Sequence, residues 1–119
     1  MSNMASFEII YEEDEDVLEV TFAAFDEHFA RAIALNDNIV LHTDISLTAA
    51  WGLTLYRYNQ LLQVSETHLD GLRPLDGLTL QRVLTLLAKP PISGFLQMLD
   101  LGDLRALVKA PTVSQLISI

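Results

Sequence analysis

The sequence contains no cysteine, and that absence excludes several classes of protein. Disulfide scaffolds, thiolate nucleophiles and cysteine-ligated zinc or iron–sulfur sites all require this residue. Basic residues are also scarce, since 7 lysines and arginines stand against 16 acidic residues and the formal net charge is −9. A charge of this sign repels phosphate backbones, so we expect no autonomous binding to nucleic acid. It favours solubility or a basic protein partner instead.

Long apolar runs are missing as well. No segment approaches the ~20 consecutive apolar residues that a membrane-spanning helix needs, and the N-terminal residues contain neither a basic leader nor an apolar core. We therefore expect a soluble, cytoplasmic protein without a membrane segment. The sequence also lacks phosphate-binding, metal-ligand and nucleophile motifs, so we predict no catalytic residue, no metal and no cofactor, and a protein that is not an enzyme. Its 119 residues, half of them hydrophobic, predict a single domain over residues 1–119.

The apolar residues that are present change their period along the chain. From Ser6 to about Trp51 they recur at every second position, and from about Leu55 onward they recur every three or four. Alternation is typical of strands and the longer spacing is typical of helices. We therefore predict an α+β fold, in which an antiparallel meander of about four to five strands over residues 6–54 precedes three to four short helices packed on the sheet. The predicted helices cover residues 55–64, 78–89, 91–100 and 103–109.

Five consecutive acidic residues separate the first two predicted strands. They are Glu12, Glu13, Asp14, Glu15 and Asp16. Their mutual repulsion opposes burial, so they predict a solvated hairpin turn, and they are candidates for docking a basic protein through long-range attraction. Calcium is another possible ligand for closely spaced carboxylates, but the glycine and the closing bidentate acid of a calcium loop are missing.

A second group of side chains supports an alternative function. His42 and Asp44 share one face of a predicted strand, where they could act as a base and its orienting partner. Trp51 and Tyr56 could offer rings on which a ligand stacks. The alternative is therefore a small-ligand-binding protein or an enzyme, with a pocket between the sheet and the helices near these four residues. A strand-end histidine and aromatic rings in the core would explain the same residues without a ligand.

The C-terminal part is rich in leucine. A sheet has two faces, and three or four helices would leave apolar surface uncovered, although monomers seldom expose apolar patches beyond about 300–600 Å². A two-fold homodimer is the commonest way to cover such a surface. The same leucines could instead complete a monomeric core. The candidate dimer face consists of Leu96, Leu99, Leu101, Leu104, Leu107 and Leu116.

Several segments in the first half of the chain follow a recognisable order. They are Tyr11, the strand Asp16-Val17-Leu18-Glu19-Val20-Thr21-Phe22, Ala32 to Leu35, Ile39 to Asp44, and Trp51 to Leu55. This order resembles domain-of-unknown-function family 2283 over roughly residues 7–60. The resemblance implies an antiparallel sheet with a helix packed on it, no established enzyme activity, and an antitoxin-like role against basic toxins. The chain departs from the family pattern at Glu19, where an aromatic residue is usual, and at Thr54, where an acid is usual.

The preferred interpretation of the sequence is a non-catalytic protein–protein interaction module. We expect it to form a homodimer and to present the acidic turn to a basic partner. Neither nucleic acid nor a membrane is an expected partner.

Overall fold

A computed structural model describes residues 8–22, 30–90 and 92–110 of the chain. Within these ranges the fold is mostly β, with eight strands in two antiparallel sheets and two helices. The strands are β1 (Glu8–Glu12), β2 (Val17–Thr21), β3 (Ala30–Ala34), β4 (Ile39–Asp44), β5 (Ala50–Tyr56), β6 (Thr67–His68), β7 (Leu96–Asp100) and β8 (Arg105–Val108), and the helices are α1 (Tyr58–Gln63) and α2 (Gly77–Leu87). No helix in the described ranges is long and apolar enough to cross a membrane.

The larger sheet has the strand order β1-β2-β5-β4-β3. Alternating side chains divide it into two faces, as the pleat of a strand requires. Leu41 of β4 and Val20 of β2 both lie opposite Leu53 of β5, and all three are buried. We call the face that carries these residues the inner face. The opposite face carries His42 and Gly52, which are also cross-strand neighbours, and we call it the outer face.

The smaller sheet has the order β6-β8-β7, and together with the two helices it packs on the inner face of the larger sheet. Phe95 and Leu96 enter the core from the smaller sheet and the turn before it, and Val83 and Leu87 enter it from α2. These side chains form one continuous hydrophobic cluster with the inner face. Burial of apolar side chains between two layers is the main stabilising contribution in a fold of this kind.

The two layers approach each other closely near the end of β3. The amide of Gly71 donates a 2.8 Å hydrogen bond to the carbonyl of Leu35. A Cβ atom at position 71 would lie 1.9 Å from the carbonyl oxygen of Ala34, so only glycine fits there without a backbone shift. Beside this contact, the Asn36 side-chain amide donates to the hydroxyl of Thr67 at 3.1 Å and to the carbonyl of His68 at 3.0 Å.

The predicted α+β fold is wrong in its C-terminal part. Residues 91–100 and 103–109, predicted as helices, contain the antiparallel strands β7 and β8. The apolar runs there are short, and short runs do not distinguish a helix from a strand by periodicity alone. In β8 burial alternates strictly, with Ala106 and Val108 buried, as in a strand with one buried face. Pairing with β7 on one side and β6 on the other stabilises this segment as a strand.

The predicted meander is also wrong. After the β1–β2 hairpin the chain does not add its next strand beside β2, because β5 takes that position. Strands β3, β4 and β5 pair in succession, and β5 then joins β2 in antiparallel register. This order leaves β1 at one edge of the sheet and β3 at the other. In addition, β5 continues to Tyr56, so α1 begins later than the predicted helix over residues 55–64.

Candidate functional site

The β1 strand is an exposed edge. All five of its residues are exposed, including Ile9, Ile10 and Tyr11 at 46, 43 and 40%. In the described part of the chain β1 pairs with β2 alone, so its other side offers backbone groups to an added strand. Proteins normally shield long edge strands or place them under a loop, because an open edge is a template for strand pairing.

All charged residues of the β1–β2 hairpin are acidic. Residues 8–22 contain no lysine, arginine or histidine. The exposed acids of the hairpin are Glu8, Glu12, Glu13, Asp14, Glu15 and Glu19. Charges of one sign on a single hairpin produce a local negative potential that attracts basic groups in a salt-dependent way. The turn residues Glu13, Asp14 and Glu15 are exposed to solvent at the tip of the hairpin, which agrees with the predicted solvated turn.

Asp16, the last of the five candidate docking acids, has a different role. It adopts a left-handed backbone with φ of 55°, and its Oδ1 accepts hydrogen bonds from the Tyr11 hydroxyl at 2.6 Å and from the Asn59 amide at 2.9 Å. The hydrogen bond from Tyr11 and the backbone amide of Asn59 hold the pKa of Asp16 below its usual value. Its carbonyl also accepts from the Tyr58 amide, so Asp16 connects the hairpin turn to the start of α1.

The outer face of the larger sheet contains a concave cleft with a volume of about 420 Å³. Its walls include Ile10 from β1 and Ala32 from β3, which belong to the two opposite edge strands, so the sheet curves around the cleft. Gly52 and Thr54 are buried at its base. The base is shaped by Gly52, because a Cβ atom there would lie 2.9 Å from the carbonyl oxygen of Val20.

Of the four pocket candidates from the sequence, only His42 lines this cleft. Its Nε2 atom lies 3.0 Å from the hydroxyl of Thr54. Trp51 precedes Gly52 on β5, at the register shift between β4 and β5, and it does not line the cleft. Tyr56 is exposed at the end of β5 and is not part of the cleft wall.

Asp44, the fourth pocket candidate, is a turn residue. Its carboxylate accepts hydrogen bonds from the Thr48 amide at 2.7 Å, from the Thr48 hydroxyl, and from the Ala49 amide at 3.0 Å. Partial burial raises the pKa of Asp44, but the hydrogen bonds from Thr48 and Ala49 outweigh it and the net shift is downward. The carboxylate thus holds the β4–β5 turn. The structure does not bring His42 and Asp44 together as a base and its orienting partner.

The candidate dimer residues do not share one surface. Leu96 and Leu104 are buried in the core, and Leu107 is half-buried. Leu99 and Leu101 are exposed at 45 and 60%. A groove of about 600 Å³ between α2 and the β7 region includes Leu101 in its wall. Leu116 lies outside the described residues.

Sequence reasoning missed a cluster around Arg105 in the smaller sheet. Its guanidinium contacts Glu66 at 3.0 Å, Asp100 at 3.2 Å and Asp103 at 3.3 Å. The hydrogen bonds with Glu66 and Asp100 raise the pKa of Arg105 above its usual value. Three carboxylates share a single cation here, so the cluster fixes the turn between β7 and β8. In the described ranges, no group of three or more metal-ligating side chains is arranged to hold a metal ion.

The cleft residues Glu19, Ala32, Gly52 and Thr54 were not proposed as a site from the sequence. The available signal was the row of small residues that alternates along β3, which allows close approach of another group. Comparison with known proteins adds no further constraint: no family model matches the chain, and no curated protein or solved structure matches it significantly. The resemblance to domain-of-unknown-function family 2283 stays a prediction.

Proposed function

We propose that this protein is a non-catalytic interaction module that binds an extended, basic segment of another protein along the open edge of β1. The observation that carries the proposal is the exposure of every residue of β1 at the edge of a sheet. Addition of a strand to such an edge forms main-chain hydrogen bonds, and side chains of the added strand then read the neighbouring surface.

The charge of the hairpin supports a basic partner. Glu8 and Glu12 flank the apolar centre of β1, and the acidic turn follows directly. An added strand with lysine or arginine at alternate positions would place cations beside these carboxylates. Charge attraction of this kind increases the association rate and selects the partner, while main-chain pairing supplies affinity.

The same charges disfavour a second copy at this edge. Antiparallel pairing of two β1 strands centred on Ile10 would place each Glu8 directly opposite a Glu12 of the other copy. Like charges directly opposite each other destabilise a strand pair. The expected homodimer would therefore use another surface, such as the region of Leu99 and Leu101, and light scattering of the purified chain tests whether it forms. An antitoxin acting on a basic toxin in the cytoplasm would be one instance of the proposed module.

A synthetic peptide of alternating lysine and valine tests the docking edge. We expect it to bind the full chain, to protect β1 amides from hydrogen exchange, and to bind more weakly as salt is added, because exposed charges are screened. The same peptide N-methylated at every residue has no main-chain N–H to donate to β1 and should lose binding.

Two amide variants separate local attraction from the effect of net charge. Glu12→Gln removes a carboxylate from β1 and should weaken binding of the peptide. Asp37→Asn removes a carboxylate from the turn after β3 and should change the affinity for the peptide less. Equal affinity of the two peptides, or protection of amides elsewhere than β1, would show that the open edge is not the docking element.

A further inference from the structure

We propose that the cleft on the outer face of the larger sheet binds a small organic cation, an ammonium group attached to a flat apolar body. This site is separate from the open backbone edge of β1, although one wall of the cleft is formed by side chains of that strand. The volume of about 420 Å³ falls within the range of small-molecule sites, which is roughly 300–1,000 Å³.

The shape of the cleft suits an apolar body. Its base is formed at Gly52, which lacks a side chain, and its walls include Ala32 on one side and Ile10 on the other. Gly52 is held at this position by packing, because a Cβ atom would come within 2.9 Å of the Val20 carbonyl oxygen. A flat group can therefore lie against the strands between two edges that curve toward it.

The carboxylates of the cleft define the charge of the ligand. Glu19 lies opposite Ile10 on one side and opposite Thr54 on the other, which places it on the outer face between β1 and β5. Glu8 lines the same cleft from β1. Neither carboxylate has an ion pair among the described residues. An ammonium group between the two would gain charge-assisted hydrogen bonds beside an apolar surface.

Arg31 lines the cleft but belongs to the other face. It pairs with Thr43, a buried residue of the inner face, so its side chain projects away from His42 and Gly52. The pKa of Asp76 is lowered mainly by hydrogen bonds from Thr79, and the charge of Arg31 makes the smallest contribution to this shift. Arg31 makes no ion pair with Glu8 or Glu19 within the described ranges, so both carboxylates are available to a cation in the cleft.

The hydroxyl of Thr54 and the imidazole of His42 complete the polar part of the site. They are joined at 3.0 Å, and both line the cleft beside Glu19. The carboxylates come from two different strands, and the described residues provide no group of three metal-ligating side chains. An organic cation that fills the cleft fits this arrangement better than a metal ion, which needs several converging oxygen or nitrogen ligands.

Tryptamine is a suitable probe, with indole-3-propionate as the anionic control that carries the same ring. We expect saturable binding of tryptamine to the full chain by calorimetry, with amide shifts at Gly52, Thr54 and Ala32 in nuclear magnetic resonance spectra. Indole-3-propionate should not bind. Glu19→Gln should lower the affinity for tryptamine about tenfold, which is the loss typical of one charge-assisted hydrogen bond.

Two further variants make the assignment specific. Ala32→Leu fills the cleft from an exposed position and should abolish tryptamine binding, while Glu12→Gln, an acid of the same hairpin that does not line the cleft, should leave it unchanged. Glu12→Gln weakens only the basic peptide, so the two proposals fail separately. Three results would each overturn the cation site: no saturable binding of tryptamine, equal binding of the anion, or wild-type affinity in Glu19→Gln. Glu19 is exposed, so its substitution should not unfold the chain.

Discussion

The hydroxyl of Tyr11 donates a 2.6 Å hydrogen bond to Oδ1 of Asp16, across the turn of the β1–β2 hairpin. The two residues shift each other's pKa in opposite directions. The hydrogen bond to the Asp16 carboxylate, with smaller contributions from desolvation and nearby negative charge, raises the pKa of Tyr11 to about 12. The same hydrogen bond, together with the amide of Asn59, lowers the pKa of Asp16.

These shifts predict how stability depends on pH at both ends of the range. Because the folded pKa of Asp16 is depressed, its contribution is complete above its unfolded pKa near 3.8 and is lost as pH falls through the lower folded value. The contribution of Tyr11 is complete below 10 and is lost as pH rises through about 12. Urea unfolding across both ranges measures these changes.

Substitution at the acid checks that the pair is the cause. Asp16→Asn should remove the carboxylate contribution at low pH and move the Tyr11 pKa back toward 10.0, as followed by phenolate absorbance. Asp14→Asn, which changes an exposed acid of the same turn, is the control. An unchanged Tyr11 titration in Asp16→Asn would contradict the geometry of the turn.

Gly71 provides a test of how closely the two layers meet. Gly71→Ala would place a Cβ atom 1.9 Å from the Ala34 carbonyl oxygen, so the backbone must move. We expect a loss of about 3 kcal/mol in the free energy of unfolding, at the upper end of overpacking effects. Gly77→Ala is the matched control, because nothing lies within 4 Å of its added Cβ at the start of α2. It should be neutral or slightly stabilising, since alanine favours a helix.

The acidic turn and the antiparallel sheet were predictable from the sequence because both depend on local properties. Consecutive carboxylates repel one another wherever they are placed, and alternation along Ile39 to Thr43 indicates a strand with one buried face. The predicted antiparallel sheet is confirmed. The order of its strands was not predictable, because the pairing of β2 with β5 joins segments that are distant in the chain.

The cleft was missed for the same reason. Its walls come from β1 and β3, and these strands form the two edges of the sheet only in the observed strand order, not in the predicted meander. Asp44 and Trp51 looked equivalent to His42 in the sequence. In the structure a register shift between β4 and β5 falls at Trp51, which does not line the cleft, and the turn before β5 uses the Asp44 carboxylate.

Leu96 and Leu99 distinguish the strand β7 from the helix that periodicity predicted. In a helix, residues three apart share a face, so both leucines would be buried and both would stabilise the fold. In β7 only Leu96 is buried, and Leu99 is the extra residue of a bulge, since Met98 and Asp100 pair with consecutive residues of β8. We expect Leu96→Ala to cost about 3 kcal/mol, as for other buried leucines, and Leu99→Ala to cost less than about 0.5 kcal/mol. Comparable losses in urea unfolding would contradict the strand.

The contacts of Arg105 predict that the stability of an Arg105 variant depends on salt. Because one guanidinium lies among Glu66, Asp100 and Asp103, Arg105→Leu leaves three carboxylates whose repulsion is no longer compensated. The variant should unfold at a lower temperature, and added salt should recover part of the loss by screening the repulsion. Arg73→Leu is the matched control, because it removes an exposed ion pair with Asp70 and a 3.4 Å hydrogen bond to the Asp103 carbonyl but leaves the carboxylates around Arg105 compensated. It should show a smaller change with little recovery. If salt stabilises the two variants equally, repulsion within the Arg105 cluster is not what destabilises Arg105→Leu.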